Sequence, residues 1–264
     1  MIRIGINGAA GRMGQLLCAR ILSADDMALA AATDLGRFAG MDVGSLVGLG
    51  EKGIPLSEPQ AGIYDECDVV IDFSLPEGTT RLLDVLESQA LVVGTTGLTE
   101  QSAMDLGRHA QSNPVVLAAN FSTGVNVLLS LVEKAAALLP DHDLEIVEMH
   151  HARKIDAPSG TALALAKAAC DARGVDPEET IVYGRAGDVG ARPKGEIGVH
   201  AIRGGDIAGD HSVTLSAPGE RLELAHRATS RAAFADGALR AARWLVEKPA
   251  GLYDMQDVLG LKNR

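Results

Sequence analysis

The densest group of reactive side chains lies between residues 148 and 162, in the run EMHHARKIDAPSGTA. It contains two adjacent imidazoles, His150 and His151, a type of side chain that can give or take a proton, and Lys154 adds a mobile ammonium group. Groups of this kind transfer protons or hold an anionic substrate. We therefore predict that this run forms part of a site for a carboxylated substrate.

A helix is predicted to begin directly after this run. Pro158 disfavours helix at the residue before it, and residues 159–172 have the alanine-rich pattern of a buried helix. The free N–H groups of a helix start, together with the hydroxyls of Ser159 and Thr161, can hold a carboxylate. Gly160 leaves room for the ligand to approach. An exposed basic loop followed by a capped helix is the alternative interpretation.

A second motif predicts a dinucleotide-binding loop near residue 8. An apolar run, residues 2–6, leads into GAAGRMG, and a helical pattern follows at once. Glycines at this spacing permit a tight turn and let the backbone approach a pyrophosphate, although Ala10 replaces the middle glycine of the usual fingerprint. Asp34 ends the next predicted strand, where a carboxylate accepts hydrogen bonds from ribose hydroxyls. A glycine turn that serves packing alone is the alternative.

Small and hydroxyl-bearing residues also follow two later apolar runs, at 94–97 and 120–122. Ligands bind beyond the carboxyl ends of parallel strands, whereas the alternative is an ordinary strand-to-helix turn. The predicted cofactor-binding residues are Gly8, Ala9, Ala10, Gly11, Arg12, Met13, Asp34, Gly94, Thr95, Thr96, Ala118, Ala119, Asn120 and Phe121.

The elements that must position these residues change in character near residue 140. Before it, apolar runs alternate with helical patterns, as in a parallel sheet covered on both faces. The predicted strands there are 2–6, 27–32, 69–73, 91–93 and 115–119, and the helices are 12–22, 76–88, 99–111 and 125–139. Residues 36–53, rich in glycine, are predicted to be a loop with at most one short helix.

After residue 140 the strand patterns are 144–149, 197–202, 212–216 and 221–225, and the helices are 159–172, 231–246 and 254–259. The fold class is therefore α/β, with an N-terminal Rossmann-like parallel sheet that binds a dinucleotide and a second α+β domain built on an open mixed sheet. A second polar cluster, Arg203 with Asp206 and Asp210 with His211, is predicted to be a solvated turn rather than a carboxylate site.

The composition excludes several classes of function. The 264 residues carry a net charge of −11 with 3% aromatic residues, which argues against a nucleic-acid partner. The first residues form a strand pattern rather than a signal peptide, and the uncharged stretch 110–132 contains too many polar residues to span a membrane. The three cysteines have no metal-site spacing and suit a reducing cytoplasm. We expect no metal.

The run from Glu148 to Ala162 closely resembles the signature of the 4-hydroxy-tetrahydrodipicolinate reductase family, long called dihydrodipicolinate reductase. The glycine loop and residues 94–97, 119–122 and 203–206 also look like segments of that family, so the resemblance covers nearly the whole chain. It implies NADH- or NADPH-dependent reduction of 4-hydroxy-2,3,4,5-tetrahydrodipicolinate, a cyclic dicarboxylate, to tetrahydrodipicolinate and water. This reaction serves lysine biosynthesis by the diaminopimelate route.

The resemblance also implies residue roles and an assembly. His150 matches the catalytic histidine and Lys154 the catalytic lysine, while His151, Gly160 and Thr161 match substrate-binding positions. Residues 1–121 with 231–264 would form the dinucleotide domain, and residues 122–230 a domain for substrate binding and for assembly into a homotetramer. The full set of predicted substrate-binding residues is His151, Lys154, Ser159, Gly160 and Thr161.

One departure from the family bears on the cofactor. Leu35 follows Asp34, where members that accept the phosphorylated cofactor well often carry Arg or Lys, and Arg37 lies close by. NADH is therefore expected to be favoured or used alongside NADPH.

Two other classes of function compete with this interpretation. An aldehyde dehydrogenase that works through a thiohemiacetal needs a cysteine nucleophile in the active loop, and none of the three cysteines lies there. A dinucleotide-sensing module would need the glycine loop but not the cluster of histidines and lysine.

Overall fold

The computed structural model describes residues 1–262, which form two compact units. One unit comprises residues 1–122 together with residues 232–262, and the other comprises residues 123–231. Each unit has its own sheet.

The strands are β1 Ile2–Asn7, β2 Met27–Thr33, β3 Val69–Asp72, β4 Ala90–Val93, β5 Pro114–Leu117, β6 Asp143–His150, β7 Ile181–Tyr183, β8 Ile197–Arg203, β9 Gly209–Ala217, β10 Glu220–Ala228 and β11 Gly251–Tyr253. The helices are α1 Arg12–Leu22, α2 Val43–Leu46, α3 Pro76–Leu83, α4 Glu100–Ser112, α5 Thr123–Leu138, α6 Gly160–Arg173, α7 Pro177–Thr180, α8 Ala232–Leu245 and α9 Met255–Leu259.

The first unit is built on a six-stranded sheet in the order β11-β5-β4-β3-β1-β2, and all its strand pairs are parallel. Every residue of β3 and β4 is buried, because alternate side chains enter two separate cores. Ile71 packs in the core that α1 and α8 share, whereas Val70 packs in the core with Leu82 of α3 and Leu106 of α4. The predicted parallel sheet covered on both faces is confirmed.

The second unit is built on a mixed sheet in the order β10-β9-β6-β8-β7. Strand β6 pairs parallel with β8 and antiparallel with β9. One face packs on α5 and α6 through residues such as Ile146, Val213 and Leu165. Residues on the other face, among them Val147 and Met149, stay partly exposed. The predicted open mixed sheet is confirmed.

Three local predictions differ from the structure. Strands β7 and β11 and the short helix α7 were not predicted, since three or four residues are too few to show a periodicity. The helix predicted for 76–88 ends at Leu83, because the chain then tightens into a turn in which the N–H of Val85 donates to the carbonyl of Leu82 at 3.1 Å. The glycine-rich stretch contains α2 and also a 3₁₀ turn, Gly36–Phe38.

Within residues 1–262, no helix combines the length and the apolar character that crossing a membrane requires.

Candidate functional site

The glycine loop joins β1 to α1 with its backbone held close to β2. Gly8 has a φ of +80°, and a Cβ atom there would lie 2.9 Å from the carbonyl oxygen of Phe73. At Gly14 a Cβ atom would collide with the carbonyl oxygen of Gly8, so only glycine lets α1 start this close to the loop. No side chain within residues 1–262 caps the start of α1. The first N–H groups of the helix are therefore available to an anion.

Asp34 lies directly after β2 and is hydrogen-bonded to the loop itself. Its Oδ2 atom accepts from the N–H of Ala10 at 2.8 Å, and its Oδ1 atom accepts from the N–H of Leu35 at 2.7 Å. Each carboxylate oxygen keeps a second lone-pair direction. The backbone thus fixes the carboxylate while leaving it able to accept from a ribose.

A cavity of about 640 Å³ opens beside these groups, wholly within the first unit. The predicted cofactor residues that line it are Gly8, Ala10, Gly11, Arg12, Met13, Asp34, Gly94, Thr95 and Thr96. Ala9 is buried, and the lining found among the described residues includes none of Ala118, Ala119, Asn120 and Phe121. Phe121 packs against Phe73, with ring centroids 5.4 Å apart.

One wall of this cavity, the turn between β3 and α3, was not among the predicted cofactor-binding segments. Phe73, Ser74 and Leu75 line the cavity, as do the first residues of α3, a helix without a side-chain cap. The signal in the sequence was Pro76 shortly after an apolar strand, because proline is common at a first helical position. The cavity is thus surrounded by the glycine loop, by the uncapped starts of α1 and α3, and by the carboxylate of Asp34. This combination fits a dinucleotide.

A buried polar network lies beneath the cavity, at the carboxyl ends of four strands. Asp72 at the end of β3 is inaccessible to solvent and accepts hydrogen bonds from the side chains of Asn7 at 2.8 Å and Thr95 at 2.8 Å. Asn7 in turn accepts from the hydroxyl of Thr33 at 2.8 Å. These bonds tie the ends of β1, β2 and β3 to the residues after β4.

In the second unit, β6 ends at His150, and a buried carboxylate two residues earlier holds the imidazole. The Nδ1 atom of His150 lies 2.6 Å from Oε2 of Glu148, whose side chain has no exposed surface. Burial alone would raise the pKa of Glu148, but hydrogen bonds from Arg203, His150 and the N–H of Ser159 lower the pKa below its usual value. Glu148 is therefore an ionised acceptor, a role that the sequence analysis did not assign.

Arg203 is not part of a solvated turn, so that prediction is wrong. Its Nη1 and Nη2 atoms each donate to Glu148 at 2.8 Å, and Nη2 also donates to the carbonyl oxygen of Asp156 at 2.7 Å. The pairing exists because β6 and β8 run parallel with His150 opposite Arg203. The guanidinium thus links Glu148 on β6 to the backbone of Asp156 in the following loop, and these contacts occupy it within the protein.

His211 also lies in a strand, not in a turn. It occupies β9 opposite Glu148, with 4% of its surface exposed, and its ring meets that of His150 edge-on with centroids 5.3 Å apart. Its Nε2 atom lies 3.0 Å from the hydroxyl oxygen of Ser159. Desolvation, reinforced by the nearby His150, lowers the pKa of His211 to about 4.

The start of α6 is fixed from two sides. The hydroxyl of Ser159 accepts from the N–H of Ala162 at 3.2 Å, and the N–H of Ser159 donates to Glu148 at 2.9 Å. Ser159 is only 2% exposed, and both of these groups are engaged within the protein, so its contact with a substrate stays a prediction. Gly160 is exposed and Thr161 half-buried.

The other two predicted ligands differ in how they are held. Lys154 forms an ion pair with Asp156, with its Nζ atom 2.8 Å from each carboxylate oxygen. The N–H of His151 donates to the carbonyl of Ile207 at 2.8 Å. Desolvation and the charge of Arg153 lower the pKa of His151. Its buried Nδ1 atom has no hydrogen-bond partner among the described residues.

The three cysteines offer no thiol nucleophile. Cys18, Cys67 and Cys170 are free and buried, and burial raises the pKa of each thiol, in Cys18 to about 12. Among residues 1–262, no group of three or more His, Cys, Asp or Glu side chains is arranged to hold a metal ion.

Both units match one family of proteins. Residues 2–121 match "Dihydrodipicolinate reductase, N-terminus" and residues 124–259 match "Dihydrodipicolinate reductase, C-terminus". The chain belongs to the dihydrodipicolinate reductase family. It is an oxidoreductase, and a reductase with a Rossmann-like dinucleotide domain uses NADH or NADPH.

Individual relatives agree with this assignment. The 4-hydroxy-tetrahydrodipicolinate reductase of Psychrobacter arcticus is 46% identical over 100% of this chain and 96% of its own length. That of Alkalilimnicola ehrlichii is 47% identical over 98% of this chain and 99% of its own. Among solved structures, a dipicolinate-bound dihydrodipicolinate reductase from Paenisporosarcina sp. TG-14 superposes with a TM-score of 0.75 at 25% identity, covering 97% of this chain and 98% of its own.

Proposed function

We propose that the chain reduces 4-hydroxy-2,3,4,5-tetrahydrodipicolinate to tetrahydrodipicolinate, a step of the diaminopimelate route to lysine. One hydride and one proton are consumed, and the ring hydroxyl leaves as water. The observation that carries the proposal is the end of β6, where a buried carboxylate holds His150 at 2.6 Å, with Lys154 four residues further along the chain. Relatives about 46% identical over the full chain carry the corresponding name.

The first unit holds the cofactor in this proposal. The bound dinucleotide supplies the hydride. The N–H groups at the start of α1 would hold its pyrophosphate, and Asp34 would accept from the ribose next to the adenine. Thr95 and Thr96 line the same cavity.

The second unit binds the substrate and supplies the proton. The start of α6, at Gly160 and Thr161, takes one carboxylate. Lys154 binds a carboxylate or donates a proton, and it can leave Asp156 for this purpose because that carboxylate is 58% exposed and a weak partner. His150 transfers a proton, and His151 supports the binding of the substrate.

The cofactor preference follows from the residues after β2. A 2′-phosphate would be repelled by Asp34, which is fixed by two backbone N–H groups. Leu35 supplies no cation, while the guanidinium of Arg37 lies over the ring of Phe38, 4.8 Å from its centroid. NADH is therefore used at least as well as NADPH.

The assembly and location are part of the same proposal. The partly exposed face of the second sheet is the surface through which four copies associate. Three free cysteines suit the reducing cytoplasm. The partner of the site is a small cyclic dicarboxylate, and a net charge of −11 disfavours nucleic acid.

The test is turnover with enzymatically generated substrate, followed by the loss of the reduced nicotinamide absorbance. We expect oxidation of NADH and NADPH, with a kcat/KM for NADH at least equal to that for NADPH. Asp34→Ala should weaken the binding of NADH more than the binding of NADPH. Cofactor binding without turnover would instead support a dinucleotide sensor, and a kcat/KM for NADPH more than roughly tenfold higher would overturn the preference.

A further inference from the structure

Glu148 is surrounded by hydrogen-bond donors on all sides. Its Oε2 atom accepts from Nδ1 of His150 at 2.6 Å and from Nη1 of Arg203 at 2.8 Å. Its Oε1 atom accepts from the N–H of Ser159 at 2.9 Å and from Nη2 of Arg203 at 2.8 Å. A carboxylate offers about four lone-pair sites, so this buried group has no capacity to spare.

These contacts determine which nitrogen of His150 carries the hydrogen. An ionised carboxylate can only accept hydrogen bonds, so Nδ1 must donate. Nε2 is then the nitrogen that gains or loses a proton. It lies beside Gly209, where a Cβ atom would come within 3.1 Å, so the glycine keeps space open at this nitrogen.

We propose that Glu148 is a positioning residue that fixes His150 in the Nδ1–H tautomer and so makes Nε2 the proton-transferring nitrogen. The role in the reaction rests on the proposed function, whereas the tautomer follows from the contacts alone. Arg203 supports this role, because its guanidinium neutralises the charge of the buried Glu148 carboxylate. The carboxylate therefore acts on His150 through the direction of one hydrogen bond.

Glu148→Gln separates the two possible tautomers. The amide has one acceptor and one donor group, and its NH₂ must replace either Oε1 or Oε2. Both positions face an N–H of Arg203, so the choice depends on Ser159 and His150. The backbone N–H of Ser159 cannot become an acceptor, but an imidazole can. The NH₂ group should face His150 and force it into the Nε2–H tautomer.

The experiment uses the full chain with ¹⁵N-labelled histidine, in alkaline buffer where imidazoles are neutral. The ring nitrogens of His150 are assigned by their loss in His150→Gln. We expect the Nδ1–H tautomer in the unaltered protein and the Nε2–H tautomer in Glu148→Gln. We also expect kcat in Glu148→Gln to fall roughly 10²-fold, with the Kd for NADH unchanged. Glu148→Asp, which restores a carboxylate, should keep the Nδ1–H tautomer and recover part of kcat.

Glu145→Gln is the matched control. Glu145 lies on the same strand with its side chain on the opposite face, and it accepts hydrogen bonds from Arg185, Arg192 and His200. This variant should leave the His150 signals unchanged. Inversion of the His150 tautomer in the control would mean that general loss of ion pairing is the cause and would overturn the proposal.

Three other results would also overturn it. They are the Nε2–H tautomer in the unaltered protein, the Nδ1–H tautomer in folded Glu148→Gln, and an inverted tautomer with unchanged kcat. If Glu148→Gln does not fold, the His150 tautomer measured in the unaltered protein and in Glu148→Asp still tests the proposal. Normal turnover by His150→Gln would instead refute the proposed role of His150 in the reaction, without changing the tautomer result.

Discussion

Two reactive residues of the candidate site differ in how firmly the protein holds them. His150 is hydrogen-bonded to the carboxylate of Glu148, which has no exposed surface, whereas Lys154 forms an ion pair with Asp156, which is 58% exposed. An exposed pair contributes little free energy, so an incoming substrate carboxylate can replace Asp156 at little cost. We therefore infer a fixed imidazole and an ammonium that is free to move to the substrate.

The first prediction concerns these two residues. His150→Ala and Lys154→Ala should each lower kcat by roughly 10²–10⁴-fold, because each removes a group that transfers or stabilises charge in the reaction. The double variant should lose much less than the product of the two factors, since groups that act together are not additive. Steady-state kinetics, with NADH binding measured separately, tests this prediction. His151→Ala is the comparison and should mainly raise the substrate KM; near-normal kcat in both single variants would place the chemistry elsewhere.

The second prediction concerns His211 and the pH dependence of stability. Its pKa of about 4 in the folded protein lies below the ordinary value of about 6.5. The unfolded chain therefore binds the proton first as the pH falls. The stability that depends on neutral His211 is complete above about pH 6.5, and roughly 2 kcal/mol of it is lost by about pH 5.

Urea unfolding at neutral pH and at about pH 5 measures this loss. His211→Gln should remove about 2 kcal/mol of the pH dependence. His142→Gln is the control, since His142 pairs with the exposed Glu220. It should keep the pH dependence of the unaltered protein. An identical pH dependence in His211→Gln would mean that other groups cause the acid sensitivity.

At the scale of elements, the start of α6 is the part of the second unit that the fold prepares for an anion. Ser159 caps the helix with its hydroxyl, and Glu148 on β6 holds its N–H. The cap and the carboxylate fix the position of the first turn, so Gly160 and Thr161 are presented by a rigid element. This arrangement supports the proposal that they bind a substrate carboxylate.

The third prediction tests that element. Thr161→Val removes a hydroxyl at nearly constant volume, and a hydrogen bond to a charged group is worth about 1.5–3 kcal/mol. The substrate KM should rise roughly tenfold or more, with the Kd for NADH unchanged. Thr99→Val is a control at another helix start, where the hydroxyl of Thr99 accepts from the N–H of Ser102. It should cost about 1 kcal/mol of stability and leave the substrate KM unchanged. An equal loss of substrate and cofactor binding in Thr161→Val would refute the assignment.

At the scale of the whole molecule, the second sheet has one face that its own helices leave uncovered. Ile146 is buried beneath α5 and α6, whereas its neighbour Val147 faces the other way and stays partly exposed. In β6 and β9 the pairing of Val147 with Ser212 places small side chains on this face, which favours close approach of another sheet. These features support the proposed homotetramer.

The fourth prediction follows from that face. Light scattering should give a particle mass four times the chain mass of 27.4 kDa. Val147→Arg should reduce the particle mass, because it places an unpaired charge at the centre of the proposed interface. Arg108→Ala, on α4 of the first unit where Arg108 is 65% exposed, is the control and should keep the mass. A monomer mass for the unaltered protein would refute the assembly.

The sequence by itself determined the elements that depend on local patterns. Continuous apolar runs identified β1 to β5, the glycine spacing identified the loop before α1, and the run from residue 148 to 162 identified the loop after β6. These features were readable because glycine conformation, helix capping and strand burial depend on residues within a few positions of one another.

Only the tertiary structure decided the contacts that depend on distant pairing. Arg203 reaches Glu148 across 55 positions because β6 and β8 lie side by side, and His211 is buried because β9 lies on the other edge of β6. Strand β11 exists because β5 offers it a free edge. No local pattern encodes these neighbours, since each hydrogen bond forms only after strands far apart in the chain have come into register.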